Sequence, residues 1–185
     1  MGLLRSLAAR LWYGLALLLL GSGVLAAPTP VSEYQVKAVY LFNFAQFVEW
    51  PAAALPGDSA PFVIGVLGKD PFGTALEDVV RSEAVNQHPL AIAHYRSVAE
   101  IRNCQILFIT ASEVAHLDGI LTALKDRSIL TVADALESGQ HGVMIELVRQ
   151  DSRIRLRIDL QAAKAADLTI SSKLLRPAEI VGPRS

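Results

Sequence analysis

Four apolar runs of strand length recur along the middle of this chain, with helical segments between them. The first is Phe62-Val63-Ile64-Gly65-Val66-Leu67; the others cover residues 90–94, 106–109 and 129–133. A strand that is apolar at every position, rather than at alternate ones, must be covered on both faces. The cover comes from helices predicted over 73–81, near 98–102 and over 114–124, the last capped by Ser112. The pattern therefore predicts an α/β domain whose mostly parallel sheet lies between two helical layers.

Beyond residue 142 the pattern changes. Residues 143–149 and 153–160 flank the polar turn Gln150-Asp151-Ser152 and predict an antiparallel C-terminal hairpin. In its second arm Arg153, Arg155 and Arg157 alternate with Ile154, Leu156 and Ile158, so one face is charged and the other is buried. A short Ala-rich helix over 161–167 and a last turn capped by Ser171 or Ser172, before Pro177, complete a single domain over 27–185.

The N-terminal 26 residues have a different character. Arg5 and Arg10 lead into the apolar run 11–20, Gly21-Ser22-Gly23 breaks it, and Val24 and Ala26 are small residues spaced for cleavage. Charge, apolar core and small residues in that order predict a signal peptide, 1–26, removed after Ala26. The apolar run is shorter than the roughly 20 residues that span a bilayer.

The balance of 17 Lys and Arg against 18 Asp and Glu lacks the basic excess of a nucleic-acid partner. A single cysteine, Cys104, excludes an internal disulfide and any multi-cysteine zinc cluster. Because it leads into the apolar run 106–109, it reads as buried.

Ser32-Glu33-Tyr34-Gln35 is a capping box, and a helix is predicted from there to about Glu49, where Pro51 ends it. Six of the chain's twelve aromatic residues lie between Tyr34 and Trp50. At about 100° per residue, Val36, Tyr40, Phe44 and Phe47 form one stripe, flanked by Leu41 and Val48, that faces the sheet. Val39, Phe42 and Trp50 instead fall on or beside the polar side, with Gln35, Asn43, Gln46 and Glu49. Either the connector 52–61 and the C-terminal tail fold over these three, or they form a contact surface for another protein or a second subunit.

Strand carboxyl ends in an open parallel sheet make a crevice. Here they bring Lys69 and Asp70, Thr110 and Ser112, and Asp134 to one edge, so Lys69, Asp70 and Asp134 are candidate ligand-binding residues. The segment 68–73 is neither G-x-G-x-x-G nor a P-loop, so no nucleotide cofactor is expected. No catalytic set assembles, since the one Gly-Ser-Gly lies within the signal peptide. His88, His94, His116 and His141 lack an i, i+4 pair or an acidic partner at ligand spacing, so no metal is expected. Glu77-Asp78 reads as a solvated helix face. The stripe of Arg149, Arg153, Arg155 and Arg157 is either a solvated hairpin face that deters strand pairing or a docking stripe for an acidic partner surface.

The string Tyr34-Gln35-Val36-Lys37-Ala38-Val39-Tyr40-Leu41-Phe42-Asn43-Phe44, followed by Phe47-Val48-Glu49-Trp50-Pro51, resembles the opening signature of the YfiR family of periplasmic regulators. Residues 64–73, 104–109 and 170–175 agree with it in order. The resemblance implies a Rossmann-like three-layer α/β domain, often a homodimer, without cofactor or catalytic activity. It also implies binding to a membrane-anchored diguanylate cyclase in the periplasm, which holds the cyclase inactive and lowers cyclic-di-GMP and biofilm formation. The chain departs from the family in keeping only Cys104, in reading His141-Gly142 where a paired glycine is usual, and in placing Asp159 where asparagine is more usual. Together these features predict a regulator that works by protein contact, with Val39, Phe42 and Trp50 in the apolar contact and Arg153, Arg155 and Arg157 orienting it. The alternative is a periplasmic small-ligand-binding module at Lys69, Asp70 and Asp134.

Export makes a direct prediction. The protein recovered from the periplasm should begin at Ala27, and an intact mass that retains residues 1–26 would refute cleavage.

Overall fold

The computed structural model describes residues 32–55, 57, 60–134 and 142–182. The signal peptide and His141 lie outside the described residues. Helix α1 (Glu33–Phe47) leads into β1 (Val48–Glu49) and then β2 (Phe62–Leu67), α2 (Ala75–Val80), β3 (Ala84–Val85) and β4 (His88–Tyr95). There follow β5 (Ile106–Ile109), α3 (Leu117–Leu124), β6 (Leu130–Asp134), β7 (Ile145–Gln150) and β8 (Arg153–Asp159). The chain finishes with α4 (Leu160–Ala165), β9 (Thr169–Ile170), α5 (Ser172–Leu175) and β10 (Glu179–Val181).

The main sheet has the spatial order β10-β8-β7-β6-β5-β2-β4-β3. Strands β4, β2, β5, β6 and β7 run parallel, and β8 returns antiparallel to β7. At the two edges β10 lies parallel to β8, and β3 lies antiparallel to β4. The expected three-layer α/β architecture with an antiparallel C-terminal hairpin is the one observed. The hairpin turn is tight because Asp151 and Ser152 both adopt left-handed backbone angles, φ 47° and 62°. Paired left-handed residues give a two-residue turn the twist of its strands.

Strand alternation sorts the apolar side chains into two cores. Phe62, Ile64 and Val66 of β2, Ile106 and Phe108 of β5, and Leu130 and Val132 of β6 pack beneath α1, α2 and the C-terminal helices. Leu67, Leu107, Ile109 and Ala133 point the other way and pack with Ile101, Leu117, Ile120 and Leu124. Double-sided burial is why these strands carry no polar alternation. Cys104 belongs to the second core, where its Sγ donates to the Ile106 carbonyl at 2.9 Å. Burial pushes its thiol up to about 12, so it is an inert packing group.

Several boundaries differ from the sequence expectation. Helix α1 stops at Phe47 because Val48 and Glu49 become extended and pair with β9. The short edges β3 and β10 were not expected, since two and three residues carry no readable period. Ser112 does not cap a helix; residues Ala111–His116 form a 3₁₀ turn and α3 starts only at Leu117. The serine hydroxyl is used elsewhere.

That use closes the crevice at the sheet's switch point. The chain leaves β2 for β4 on one side and crosses back to β5 on the other, which is where open α/β sheets hold ligands. Here Ser112 Oγ accepts the Lys69 N–H at 3.0 Å and lies 2.9 Å from Thr110 Oγ1. Gly68 must be glycine: its φ is +95°, and a Cβ there would lie 2.4 Å from both hydroxyl oxygens. The chain's own side chains fill the space.

Gln105 staples the connector to this frame. Its side chain accepts the Val63 N–H at 2.8 Å and donates to the Ala54 carbonyl at 3.0 Å, while its own carbonyl accepts the Leu130 N–H and the Trp50 indole N–H. Gln105→Ala should therefore strand a buried donor and an acceptor and cost about 1–3 kcal/mol. Urea unfolding should report it as a lower midpoint at unchanged slope.

Candidate functional site

The N-terminal turns of α1 carry a charge cluster that the sequence did not announce. Lys37 is 2% exposed, although it is a lysine on a helix. Its ammonium pairs with Glu33 one turn earlier, and with Asp134 Oδ1 at 2.7 Å from the end of β6. It also lies 4.6 Å from the centre of the Tyr34 ring. Tyr34 in turn donates its hydroxyl to Asp134 Oδ2 at 2.9 Å. Asp134 Oδ1 makes no well-aligned hydrogen bond, so the Lys37 charge is what compensates its burial.

These contacts shift the titrations. Burial first, and then the Asp134 hydrogen bond and charge, push the Tyr34 hydroxyl up to about 12. The hydrogen bond from Lys37 leads the causes that hold Glu33 below its ordinary carboxylate value, with the Lys37 and Arg149 charges assisting. Arg149 Nη1 reaches Glu33 Oε2 at 3.0 Å and ties the hairpin to the helix.

The cluster also fixes how α1 is rotated. The residues it buries are Lys37, Ala38, Leu41, Phe44 and Ala45, rather than the stripe of Val36, Tyr40, Phe44 and Phe47 expected from apolar spacing. Lys37 turns inward to meet Asp134, and the two alanines let the backbone sit close. Val36, Tyr40 and Phe47 therefore lie on the flank of the helix, half-buried. Tyr40 donates to the Ile154 carbonyl at 3.3 Å.

That flank is one wall of a groove of about 490 Å³. Glu33, Val36 and Tyr40 line it from α1, and Arg149, Ser152, Arg153, Ile154 and Arg155 from the hairpin. Arg153 and Arg155 are exposed and make no ion pair among the described residues. Arg157 differs: its guanidinium binds Glu146 at 2.9 Å and approaches Glu179 at 3.7 Å, and so ties β8 to β7 and β10. A groove that mixes Val36, Tyr40 and Ile154 with the guanidinium groups of Arg153 and Arg155 suits an anionic surface that has an apolar part.

Outward from the groove, across the crest of α1, lie Val39 at 46% exposure and Phe42, half-buried; neither packs against the core. Trp50 takes a different place. It is half-buried, its ring meets Phe62 edge-on at 5.0 Å, and its indole N–H donates to the Gln105 carbonyl at 3.2 Å. Phe62 and the Gln105 carbonyl hold it against the core, so it does not share the crest with Val39 and Phe42.

The alternative ligand residues are not brought together. Lys69 is exposed, Asp70 binds His94, and Asp134 is committed to Lys37 and Tyr34. The histidine expectation is corrected at two positions, and His116 Nδ1 lies 3.7 Å from Glu113 Oε2 three residues before it. His94 does have acidic partners, because β2 and β4 run parallel in register and bring it to Asp70, while α2 brings Glu77. Glu77 is no solvated residue either; its Oε2 is sealed from solvent without a partner. The sequence held one usable signal for the charge cluster, the Glu33 and Lys37 spacing of one helical turn. Their meeting with Asp134, a hundred residues away, had none.

The chain is thus a three-layer α/β domain in which, among the described residues, Val39 and Phe42 stand clear of the core beside a groove that carries Arg149, Arg153 and Arg155. The YfiR/HmsC-like family pattern matches residues 34–179, and the chain belongs to that family. The match starts at Tyr34 and so takes in all but the first residue of α1. Comparison with curated proteins gave no match. The family is one of periplasmic, generally non-catalytic regulators, associated with membrane diguanylate cyclases. Among the described residues, no helix is long and apolar enough to cross a membrane.

Two predictions follow from the cluster. Lys37→Ala leaves Asp134 without its cation, while Glu33 keeps Arg149, and should cost about 3–5 kcal/mol in urea unfolding; adding Asp134→Asn should recover part of it. For Glu33 the folded value lies below the unfolded value of 4.5. Its stabilisation is thus present above pH 4.5 and is lost as pH falls through the folded value. Glu33→Gln should flatten the acid limb of stability against pH, and an unchanged limb would place the titration elsewhere.

Proposed function

We propose that this chain is a repressor of a membrane-anchored diguanylate cyclase, exported with loss of its signal peptide and acting as a homodimer. It lowers cyclic-di-GMP and biofilm formation by gripping the cyclase's periplasmic part. The observation that carries the proposal is the crest of α1, where Val39 and Phe42 remain free of the core beside a groove rimmed by Arg149, Arg153 and Arg155. Val39 and Phe42 supply the apolar contact. Arg153 and Arg155 supply charge that orients an acidic partner surface. Trp50 and Arg157 act from behind, by fixing the connector and the hairpin that frame this surface.

The mechanism is a population shift. A regulator that binds the inactive cyclase better than the active one moves the equilibrium by the ratio of those affinities. No chemistry at the regulator is required. The small-ligand alternative retains one supporting observation, the volume of the groove, which falls within the range of small-molecule sites.

The test is cyclic-di-GMP in the host with and without the gene. Deletion should raise it, and wild type should restore the low level. Phe42→Asp should not restore it, with purified complex formation weakened by about tenfold or more. Arg153→Glu with Arg155→Glu should slow association and remove its salt dependence. Light scattering reads the homodimer directly. Unchanged cyclic-di-GMP on deletion would overturn the cyclase assignment, and salt-insensitive wild-type binding would remove the arginines from it.

A further inference from the structure

Three side chains from separate segments meet at the carboxyl end of β2 and β4, away from the α1 groove. Asp70 follows β2, His94 is the penultimate residue of β4, and Glu77 sits on α2 between them. The register Val66↔His94 places the histidine beside the end of β2, within reach of Asp70. The ligand atoms of all three lie within 4.8 Å of one another. His94 Nε2 is 3.0 Å from Asp70 Oδ2, while the other oxygen of Asp70 accepts the Phe72 N–H at 2.7 Å and so orients the carboxylate.

What this arrangement lacks is a positive charge. Among the described residues no lysine or arginine pairs with any of the three. Glu77 Oε2 is nevertheless sealed from solvent and has no hydrogen-bond donor. A carboxylate oxygen out of solvent with no donor among the described residues is costly, and an ion held by Glu77 with Asp70 and His94 would supply the positive charge that the cluster lacks. The pairing of His94 with Asp70 does not reach Glu77 Oε2.

We propose that Asp70, Glu77 and His94 bind a divalent transition-metal ion of the zinc type. One imidazole and two carboxylates suit zinc and its neighbours in the first row. With bonds of about 2.0 Å, the ligands of a tetrahedral zinc lie about 3.3 Å apart, close to the separation already present between His94 and Asp70. Three protein ligands leave a fourth position for water. His94 is about half exposed, at 48% of its side chain, which gives the ion a way in. The bound ion would clasp α2 to the β2–β4 end of the sheet. This site is independent of the cyclase reading and stands or falls separately from it.

The experiment is a calorimetric titration of zinc chloride into the purified exported protein, stripped with chelator and dialysed into a non-coordinating buffer. Wild type should bind one zinc per chain and unfold at a higher temperature with zinc than without. His94→Ala and Glu77→Gln should each weaken binding by at least tenfold and lose the zinc-dependent rise. His116→Ala, a histidine outside the set, should behave as wild type. Glu77→Gln also guards against misfolding as the explanation. It keeps the size of the side chain while removing a carboxylate ligand, so without zinc it should unfold near the wild-type temperature, and yet gain nothing from zinc. No binding at millimolar zinc would overturn the site. So would weak binding at several places, or binding that survives both His94→Ala and Glu77→Gln.

Discussion

The buried Lys37 is the contact on which the orientation of α1 depends. A lysine at 2% exposure survives only because Glu33, Asp134 and the Tyr34 ring surround its ammonium. Meeting Asp134 turns the helix so that Ala38, Leu41, Phe44 and Ala45 follow Lys37 inward. The opposite residues, Val39 among them, are then forced out to the crest. A single inward lysine thus sets both the packing of the first layer and the surface offered to partners. Apolar spacing alone would have chosen a different rotation, because the helix carries apolar groups on every side.

The same logic divides the arginines. The hairpin register pairs Glu146 with Arg157, so the innermost arginine is neutralised within the sheet and holds β10 as well. Nearer the turn, Arg155 faces Val148 and Arg153 faces Gln150, neither of which can pair with a guanidinium charge. Of the four hairpin arginines, Arg157 and Arg149 are thus committed to Glu146 and Glu33, and Arg153 and Arg155 make no ion pair among the described residues. All but Arg157 line the groove.

Strand runs such as 62–67 and 106–109 were legible in the sequence because burial on both faces leaves an unbroken apolar signature, and both have the extents expected. The hairpin was legible because its second arm alternates and its turn is polar. What could not be read was contact across long separations. Asp134 lies a hundred residues from Tyr34, and its committed role inside the cluster erased its expected role in the crevice. Trp50 could be placed on the polar side of a helical wheel, but α1 ends before it, so the wheel does not apply there. His94 and Asp70 are separated by 24 residues and meet only through parallel register. Only the family resemblance pointed to a regulator, and the family pattern covers residues 34–179.

The two edges of the main sheet have a consequence for recognition. Among the described residues, β3 pairs only with His88 and Pro89 of β4, and β10 only with residues 157–159 of β8, so the rest of the outer edges of β4 and β8 carries no partner strand. Backbone pairing is a generic adhesive that accepts many sequences. Side chains on the crest of α1 and on the hairpin rim are the part of the surface that varies with sequence. Such an address is rewritten by a few substitutions at the surface, with the sheet and both cores left as they are.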